Sequence, residues 1–393
     1  MAVVELSELL ARGVRGRRVL VRADLNVPLA DGAIRDDTRI RASLPTLRRL
    51  LAAGARVVVV SHLGRPKGVA RPELSLRPVA PRLAELIGTG VSFCEHCIGA
   101  EAAAAIERLE DGEILLLENL RFHPGEEQND PDFAKALTEH IGVFVNDAFG
   151  TAHRAHASTV GVTAFVAEAG AGDLLKSEID HLKAVREPAR PLMVVLGGAK
   201  VSDKLAVLEA LAPHADVLAI GGAMAYTFMA ARGTPIGASR VERDRVEDAR
   251  RVMRAAEQSG RRLLLPSDHV VATGLEAGLP TRTVTTIPDG YMGLDIGPET
   301  ARRYAHEIAG ARTFFWNGPM GVFEIPEFAA GTRAIARAAA DSQAITVVGG
   351  GDSLAAINQM GVGDRITHLS TGGGASLEYI QGLELPGVAA LER

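Results

Sequence analysis

The chain is poor in lysine, cysteine and aromatic residues, and each shortage narrows what it can be. Its two cysteines, Cys94 and Cys97, flank His96 in a lone CEHC. With no second pair to complete a zinc site or disulfide framework, they read as structural thiols of a cytosolic protein. The longest uncharged apolar-rich stretch, Val217 to Ala231, falls short of the roughly 18 residues of a spanning helix. Gly221 and Gly222 interrupt it, so a buried strand, turn and helix is expected there, and no membrane association. The opening MAVVELSELLARG carries Glu5 and Glu8 where a signal peptide needs positive charge, which argues for a cytoplasmic location. Neither sign of charge dominates: the net charge is −5, and residues 1–172 hold 20 basic against 22 acidic side chains. A nucleic-acid partner is therefore not expected. The chain has no Gly-Lys dipeptide and hence no GxxxxGK[ST] loop. GxGxxG, HExxH and GxSxG are missing as well.

What the chain does have is aliphatic core, with 47% hydrophobic residues over 393 positions, enough for about two or three compact domains. Short β-branched runs alternate with amphipathic segments, the βαβ signature of parallel sheets covered by helices on both faces. Strands are expected to end near Arg22, Val60, Glu118 and Val145 in the first half. In the second half they end near Leu196, Ile220, Leu265, Trp316, Val348 and Leu369. Arg41 to Ala53 reads as a connecting helix stopped by Gly54. A domain boundary is placed near residue 172, where Gly170 to Gly172 precede a charged amphipathic helix, Asp173 to Arg186, and Pro188 and Pro191 then punctuate the next unit. The alternative is a sheet-covering helix within one larger domain.

In open parallel sheets ligands bind beyond the carboxyl ends of the strands, and the two halves differ there. After the first-half strands stand Asp24 and Asn26 in RADLNVP, His62 and Arg65 in SHLGRPKG, Arg121 in NLRFHPG, and His153, Arg154 and His156 in TAHRAHAST. Arg39 in RDDTRI adds another guanidinium. Any one of these arginines is as readily a solvated surface residue. Their recurrence after four strands points to a shared site for a small, highly charged anion, because guanidinium forks grip carboxylate and phosphate oxygens.

After the second-half strands stand glycines: Gly197 and Gly198, Gly221 and Gly222, the NGPMG run at Asn317, GGGDS from Gly349, and TGGGAS from Thr371. Glycine admits close approach of the backbone, and N–H groups at a helix start cradle phosphate oxygens. Each run also has a plain reading as a tight turn. Asp352 in GGGDS is placed to hold Mg²⁺ directly or through water. Lys200 and Lys204, two of few lysines in an arginine-rich chain, fall in GGAKVSDK, read as a strand, a glycine turn and a helix carrying both ammonium groups. A compact charge on a flexible stem follows a moving phosphoryl group better than a guanidinium does.

These motifs, with LENLRF, YMGLDIGP, WNGPMGVFE and STGGGAS, resemble the phosphoglycerate kinase family in order along nearly the whole chain. The departures, Ala23 and Leu25 where the family commonly has Val and Phe, are packing neighbours, and CEHC is no catalytic motif of the family. The resemblance implies an α/β fold of two Rossmann-like parallel-sheet domains facing a cleft and joined by a hinge helix. It divides the chain into an acid-binding domain (1–172), the interdomain helix (173–187), a nucleotide-binding domain (188–375) and a segment (376–393) returning to the first domain. It implies reversible phosphoryl transfer between 1,3-bisphosphoglycerate and ADP, giving 3-phosphoglycerate and ATP, with Mg²⁺, by a monomer. By position, the acid-binding residues would be Asp24, Asn26, Arg39, His62, Arg65, Arg121 and Arg154. Those for the nucleotide would be Lys200, Lys204, Gly293, Asn317, Glu324 at the ribose, Gly350, Gly351, Asp352 at the metal and Ser353. Arg39, Lys200 and the N–H groups of Gly372, Gly373 and Gly374 would meet the transferring group. The attacking ADP oxygen is already ionised, so no general base is needed. Two α/β units also suit a nicotinamide dehydrogenase, but that class needs the dinucleotide fingerprint this chain lacks.

Overall fold

Continuous runs of Val, Leu and Ile form the strands because a parallel sheet is covered on both faces and no position needs to be polar. In the computed structural model, which describes residues 3–30 and 32–392, Arg56–Val60, Ile114–Leu117 and Val143–Asp147 are buried along nearly their whole length. The chain divides into two compact units, one reaching Ile179 and including the segment from Glu384 onward, the other running from Asp180 to Leu383.

The first unit is built on a six-stranded parallel sheet. Its strands lie in the order Val91–Cys94, Ile114–Leu117, Arg56–Val60, Arg18–Ala23, Val143–Asp147, Glu168–Ala171. Strand order reverses between Arg18–Ala23 and Val143–Asp147, whose chains leave in opposite directions and open a crevice at their carboxyl ends. The helix Thr38–Ala52 buries Ile40, Leu44, Leu47 and Leu50 at helical spacing and so presents Arg39 in its first turn. Truncating the fully buried Leu47 to alanine costs about 2–5 kcal/mol.

The second unit repeats the plan with a six-stranded parallel sheet, ordered Arg262–Leu264, Val217–Ile220, Leu192–Leu196, Thr313–Asn317, Ile345–Gly349, His368–Ser370. Its reversal lies between Leu192–Leu196 and Thr313–Asn317, with Leu196 and Asn317 in register at the carboxyl ends. A three-stranded antiparallel sheet, Arg282–Val284, His269–Ala272 and Met292–Ile296, is added to it. No periodic pattern in the sequence announces that sheet. Each of the ten expected strands is present, ending within two residues of its expected position. The edge strands Val91–Cys94 and Glu168–Ala171 were not foreseen. The connecting helix starts at Thr38, three residues before expectation.

The helix Asp173–Arg186 carries the chain from one unit to the other, the division falling between Ile179 and Asp180. Within the first unit its start is fixed by the buried Asp147, which accepts from the N–H groups of Leu174 and Leu175 at 2.9 and 3.3 Å, while Thr46 Oγ1 accepts from Asp173 N. The chain re-enters the first unit at Glu384, not at Ser376. Ser376 is held in the second unit because the helix Gly374–Ile380 packs on the helix Leu205–Leu211, and the Ser370 and Ser376 hydroxyls lie 2.7 Å apart. The returning segment then seals the first sheet: Asn146 Nδ2 donates to Gly387 O at 3.1 Å and Gly387 N to Ala152 O at 2.8 Å.

Candidate active-site residues

In the first unit the carboxyl ends of the strands gather a basic pocket. Arg39 Nη1 donates to Asp24 Oδ2 at 2.5 Å, so Asp24 orients one of the guanidinium groups. Asn26 Oδ1 accepts from Gly64 N at 2.9 Å, and Arg121 Nη1 donates to Gly64 O at the same distance; together they pin the SHLGRPKG loop from both sides. Arg121 is buried, with Nε 3.3 Å from the Glu127 carboxylate but out of hydrogen-bond alignment. Burial opposes its charge, as do Arg22 and Arg154, while Glu127 and Glu126 favour it. Arg154 is exposed and donates from Nε to His153 Nε2 at 3.2 Å. Arg65 is exposed on the same loop as His62.

His62 is buried and held well below the ordinary histidine pKa, first by burial and then by the charges of Arg22, Arg121, Arg39 and His156. His156 is pushed down to about 4 by burial, followed by Arg121, Arg22 and Arg154. The fields of these side chains overlap, which places Arg39, His62, Arg121 and Arg154 in one neighbourhood. With neutral histidines among fixed guanidinium groups, the positive charge here is carried by arginine rather than by imidazolium.

Sequence reasoning missed the layer beneath. Arg22, at the end of its strand, is completely buried, as is Glu126, and Ser158 stands between them. Glu118 and Asn119 form a second brace: Glu118 accepts from Ser75 Oγ, Leu76 N and Asn119 N. Asn119 in turn donates to the carbonyls of Leu63 and Leu74. The signal that could have found these residues is a charged or amide side chain at the end of an otherwise apolar strand run, as in RVLVRA and ILLLEN.

In the second unit the glycine turns line a cavity of about 330 Å³. Gly293, Glu324 and Asp352 face it, together with Gly198 and Gly222. Leu275, Met292, Leu294 and Val322 give it an apolar wall and Arg240 a charge; none of these five was singled out from the sequence. Gly222 has φ +65°, and a Cβ there would stand 2.5 Å from Gly198 O. At Gly293 a Cβ would meet the Tyr226 hydroxyl at 1.9 Å. At these two glycines the cavity surface is therefore bare backbone, because other atoms are packed directly against it.

The lysines do not ride on a helix. Gly198 to Lys204 form bends and turns, and the helix starts only at Leu205. Gly198, at φ +122°, and the Val201–Lys204 turn closed by Lys204 N to Val201 O take up the residues a first helical turn would need. Lys204 Nζ is hydrogen-bonded to Asn317 Oδ1, joining two of the expected residues. Burial draws its pKa down, against the opposing charges of Asp203 and Asp352. Lys200 is exposed, and its charge acts on Glu242: burial raises that carboxyl, but hydrogen bonds from Ser202 and Val201 and the Lys200 charge leave it lowered. Gly350 precedes the helix Gly351–Met360, Asp352 lies in its first turn, and Ser353 Oγ accepts from Gly318 N at 2.7 Å. The expected trio of free amides is reduced: Gly372 N donates to Ser370 Oγ at 3.3 Å, whereas Gly373 and Gly374 are exposed. Cys94 and Cys97 are free, buried thiols.

Two carboxylates, Glu324 and Asp352, border this cavity, Asp352 beside Lys204, and among the described residues no group of three or more His, Cys, Asp or Glu could hold a metal alone. That donor set fits Mg²⁺ arriving with a nucleotide, since Mg²⁺ keeps its waters and phosphate ligands and needs only one or two carboxylates.

Comparison with known proteins agrees over almost the whole chain. The family model for phosphoglycerate kinase matches residues 9–383. The phosphoglycerate kinase of Rubrobacter xylanophilus is 56% identical over 381 residues, 96% of this chain and 96% of that one. That of Moorella thermoacetica is 55% identical, over 96% and 97%. Among solved structures, phosphoglycerate kinase from Coxiella burnetii superposes with a TM-score of 0.90 at 40% identity, covering 99% of both chains. The enzyme from Pyrococcus horikoshii gives 0.86 at 34%, over 99% and 98%. Nothing in these comparisons supports a nicotinamide dehydrogenase. The basic pocket of one unit, the glycine-lined cavity of the other and the relatives on either side of them lead to one conclusion: this chain belongs to the phosphoglycerate kinase family.

Proposed function

We propose that the first unit binds 3-phosphoglycerate or 1,3-bisphosphoglycerate through Asp24, Asn26, Arg39, His62, Arg65, Arg121 and Arg154, and that the second binds ADP or ATP. Lys204, Asn317 and the Gly350–Ser353 turn hold the nucleotide phosphates, Gly293 approaches the base, and Glu324 meets the ribose. Asp352 would hold Mg²⁺, which when bound offsets the charge of the nucleotide phosphates. Arg39, Lys200 and the N–H groups of Gly373 and Gly374 receive the charge of the transferring phosphoryl group. No proton need move in the ATP-forming direction, so these residues act by alignment and charge stabilisation. The acid and the nucleotide belong to different units, and reaction requires roughly 3–3.5 Å between donor and acceptor. The units therefore close on one another about the helix Asp173–Arg186. The protein works as a cytoplasmic monomer, which gel filtration with light scattering tests.

The observation that carries this reading is the contrast between the pockets: guanidinium and neutral imidazole in one unit, glycine backbone and the Lys204–Asn317 pair in the other. The test is ATP formation from 1,3-bisphosphoglycerate, ADP and Mg²⁺ by the purified chain, followed by soaking crystals with each ligand separately. No ATP, or both ligands on one unit, overturns it.

A further inference from the structure

Beneath the basic pocket the first unit holds a buried chain of polar contacts that the reaction above does not use. Arg22 Nη2 lies 3.1 Å from His62 Nδ1, Arg22 Nη1 donates to Ala23 O at 2.6 Å, and Arg22 Nε donates to Ser158 Oγ at 2.8 Å. The Ser158 hydroxyl then donates to Glu126 Oε1 at 2.6 Å, and Ser158 N donates to Glu126 Oε2 at 3.0 Å. All of Arg22, Ser158 and Glu126 are excluded from solvent. A fully buried guanidinium is expensive unless an anion answers it; here Glu126 does so through one hydroxyl.

The chemistry of that first contact admits one arrangement. A guanidinium has five donors and no acceptor, so the imidazole nitrogen facing it must present its lone pair. A proton on Nδ1 would set two N–H groups against each other. We infer that Arg22 fixes the His62 ring as the neutral Nε2–H tautomer, so that Arg22, backed by Ser158 and Glu126, is the positioning element that makes His62 a hydrogen-bond donor to the anionic acid. The inference rests on the proposed acid site for its purpose, but not for its geometry. Among the described residues Arg22 is the one hydrogen-bond partner of the His62 ring, which leaves Nε2 available to a ligand. Charge near the ring acts in the same sense: Arg22, Arg121, Arg39 and His156 all disfavour the imidazolium, as does burial. Ionised His62 would bring a further charge, whereas the neutral tautomer supplies direction, a donor at a set place beside arginines that already carry the charge.

The test is nitrogen-15 NMR of the histidine rings in the intact, ligand-free protein near neutral pH, with His62 assigned by the signal missing from His62→Gln. The expected spectrum has an unprotonated Nδ1 and a protonated Nε2. A protonated Nδ1, an imidazolium, or an averaged pair of tautomers overturns the inference. Arg22→Met keeps an unbranched apolar stem and loses the donor; it should mix the tautomers and raise KM for 3-phosphoglycerate roughly 10-fold, the loss of one hydrogen bond to a charged group, with a smaller change in kcat. Arg22→Lys, still a donor without an acceptor, should restore the Nε2–H tautomer. Unchanged tautomer and unchanged KM in Arg22→Met would reduce Arg22 to a space-filling role and overturn the claim. If Arg22→Met does not fold, the wild-type spectrum alone decides. A correct tautomer in a protein that makes no ATP would sink the proposed reaction and leave the tautomer assignment standing.

Discussion

Replacing Gly222 by alanine tests whether the cavity of the second unit is lined by backbone because nothing larger fits. The residue has φ +65°, and the added Cβ would lie 2.5 Å from Gly198 O and 2.6 Å from Gly198 N, backbone atoms that cannot rotate away. The left-handed conformation alone costs alanine roughly 1–2 kcal/mol, and forced overpacking adds about 1–3 kcal/mol. Gly233 provides the control within the same unit: its φ is +76° but nothing lies within 4 Å of a built Cβ. Both variants pay the conformational term, and both gain equally from a stiffer unfolded chain. Their difference isolates the clash, about 1–3 kcal/mol. The single tryptophan, Trp316, is fully buried in the second unit's sheet, so its fluorescence in a urea titration reports the unit that carries both substitutions. Gly222→Ala should also raise KM for ADP, because Gly198 and Gly222 both line the cavity, whereas Gly233→Ala should leave it unchanged. Equal urea midpoints for the two variants would refute the close-approach reasoning.

Arg39→Ala and Lys200→Ala should each lower kcat by on the order of 10², comparable with loss of a preorganised donor to developing charge; near-normal steady-state turnover removes that role. Chelating divalent ions with EDTA should abolish ATP formation, and Asp352→Asn should raise the Mg²⁺ needed for half-maximal rate; an unshifted Mg²⁺ dependence refutes Asp352 as its holder. Burial raises Asp295 to about 7 from its ordinary 3.8, against the N–H groups of Gly331 and Ile296 that favour its charge. The folded state thus holds a proton that the unfolded state has released. This contribution to stability is full below pH 4 and is lost as pH rises toward 7, at up to roughly 1.4 kcal/mol per pH unit. Asp295→Asn should flatten that slope in Trp316-detected unfolding between pH 4.5 and 7.5; an unaltered slope counts against the buried acid.

Much of the fold was legible because its central strands are buried on both faces and read as unbroken aliphatic runs, such as Val57 to Val60 and Leu115 to Leu117. The edge strands were not, since Glu168–Ala171 contains a charge and a glycine and owes its extended form to pairing with Val143–Asp147. The antiparallel sheet escaped for a related reason: Arg282–Val284 and Met292–Ile296 carry Arg282, Gly293 and Asp295, so neither reads as an aliphatic run. In the basic cluster of the first unit, residues on loops after strands could be named, because the topology puts them at one edge. The layer that orients them could not. Arginine at position 22 ends an apolar run, but nothing local identifies its partners: Ser158 lies 136 residues from it, and Glu126 32 residues from Ser158. The GGAKVSDK stretch misled in the opposite direction. Its lysines have good helical propensity, but the contact between Lys204 and Asn317 is made across 113 residues, and tertiary placement overrode the local preference.

The segment that closes the first sheet also orders events during synthesis. Residues 384–392 leave the ribosome after all of the second unit, yet Gly387 supplies the partners of Ala152 and Asn146, and Leu391 is fully buried. A chain ending at Leu383 has all of the second unit and an unfinished first one, with that seam open to water. The half made earliest is thus the half completed last, and the contact joining the two ends of its chain can form only when translation has passed the whole of the other.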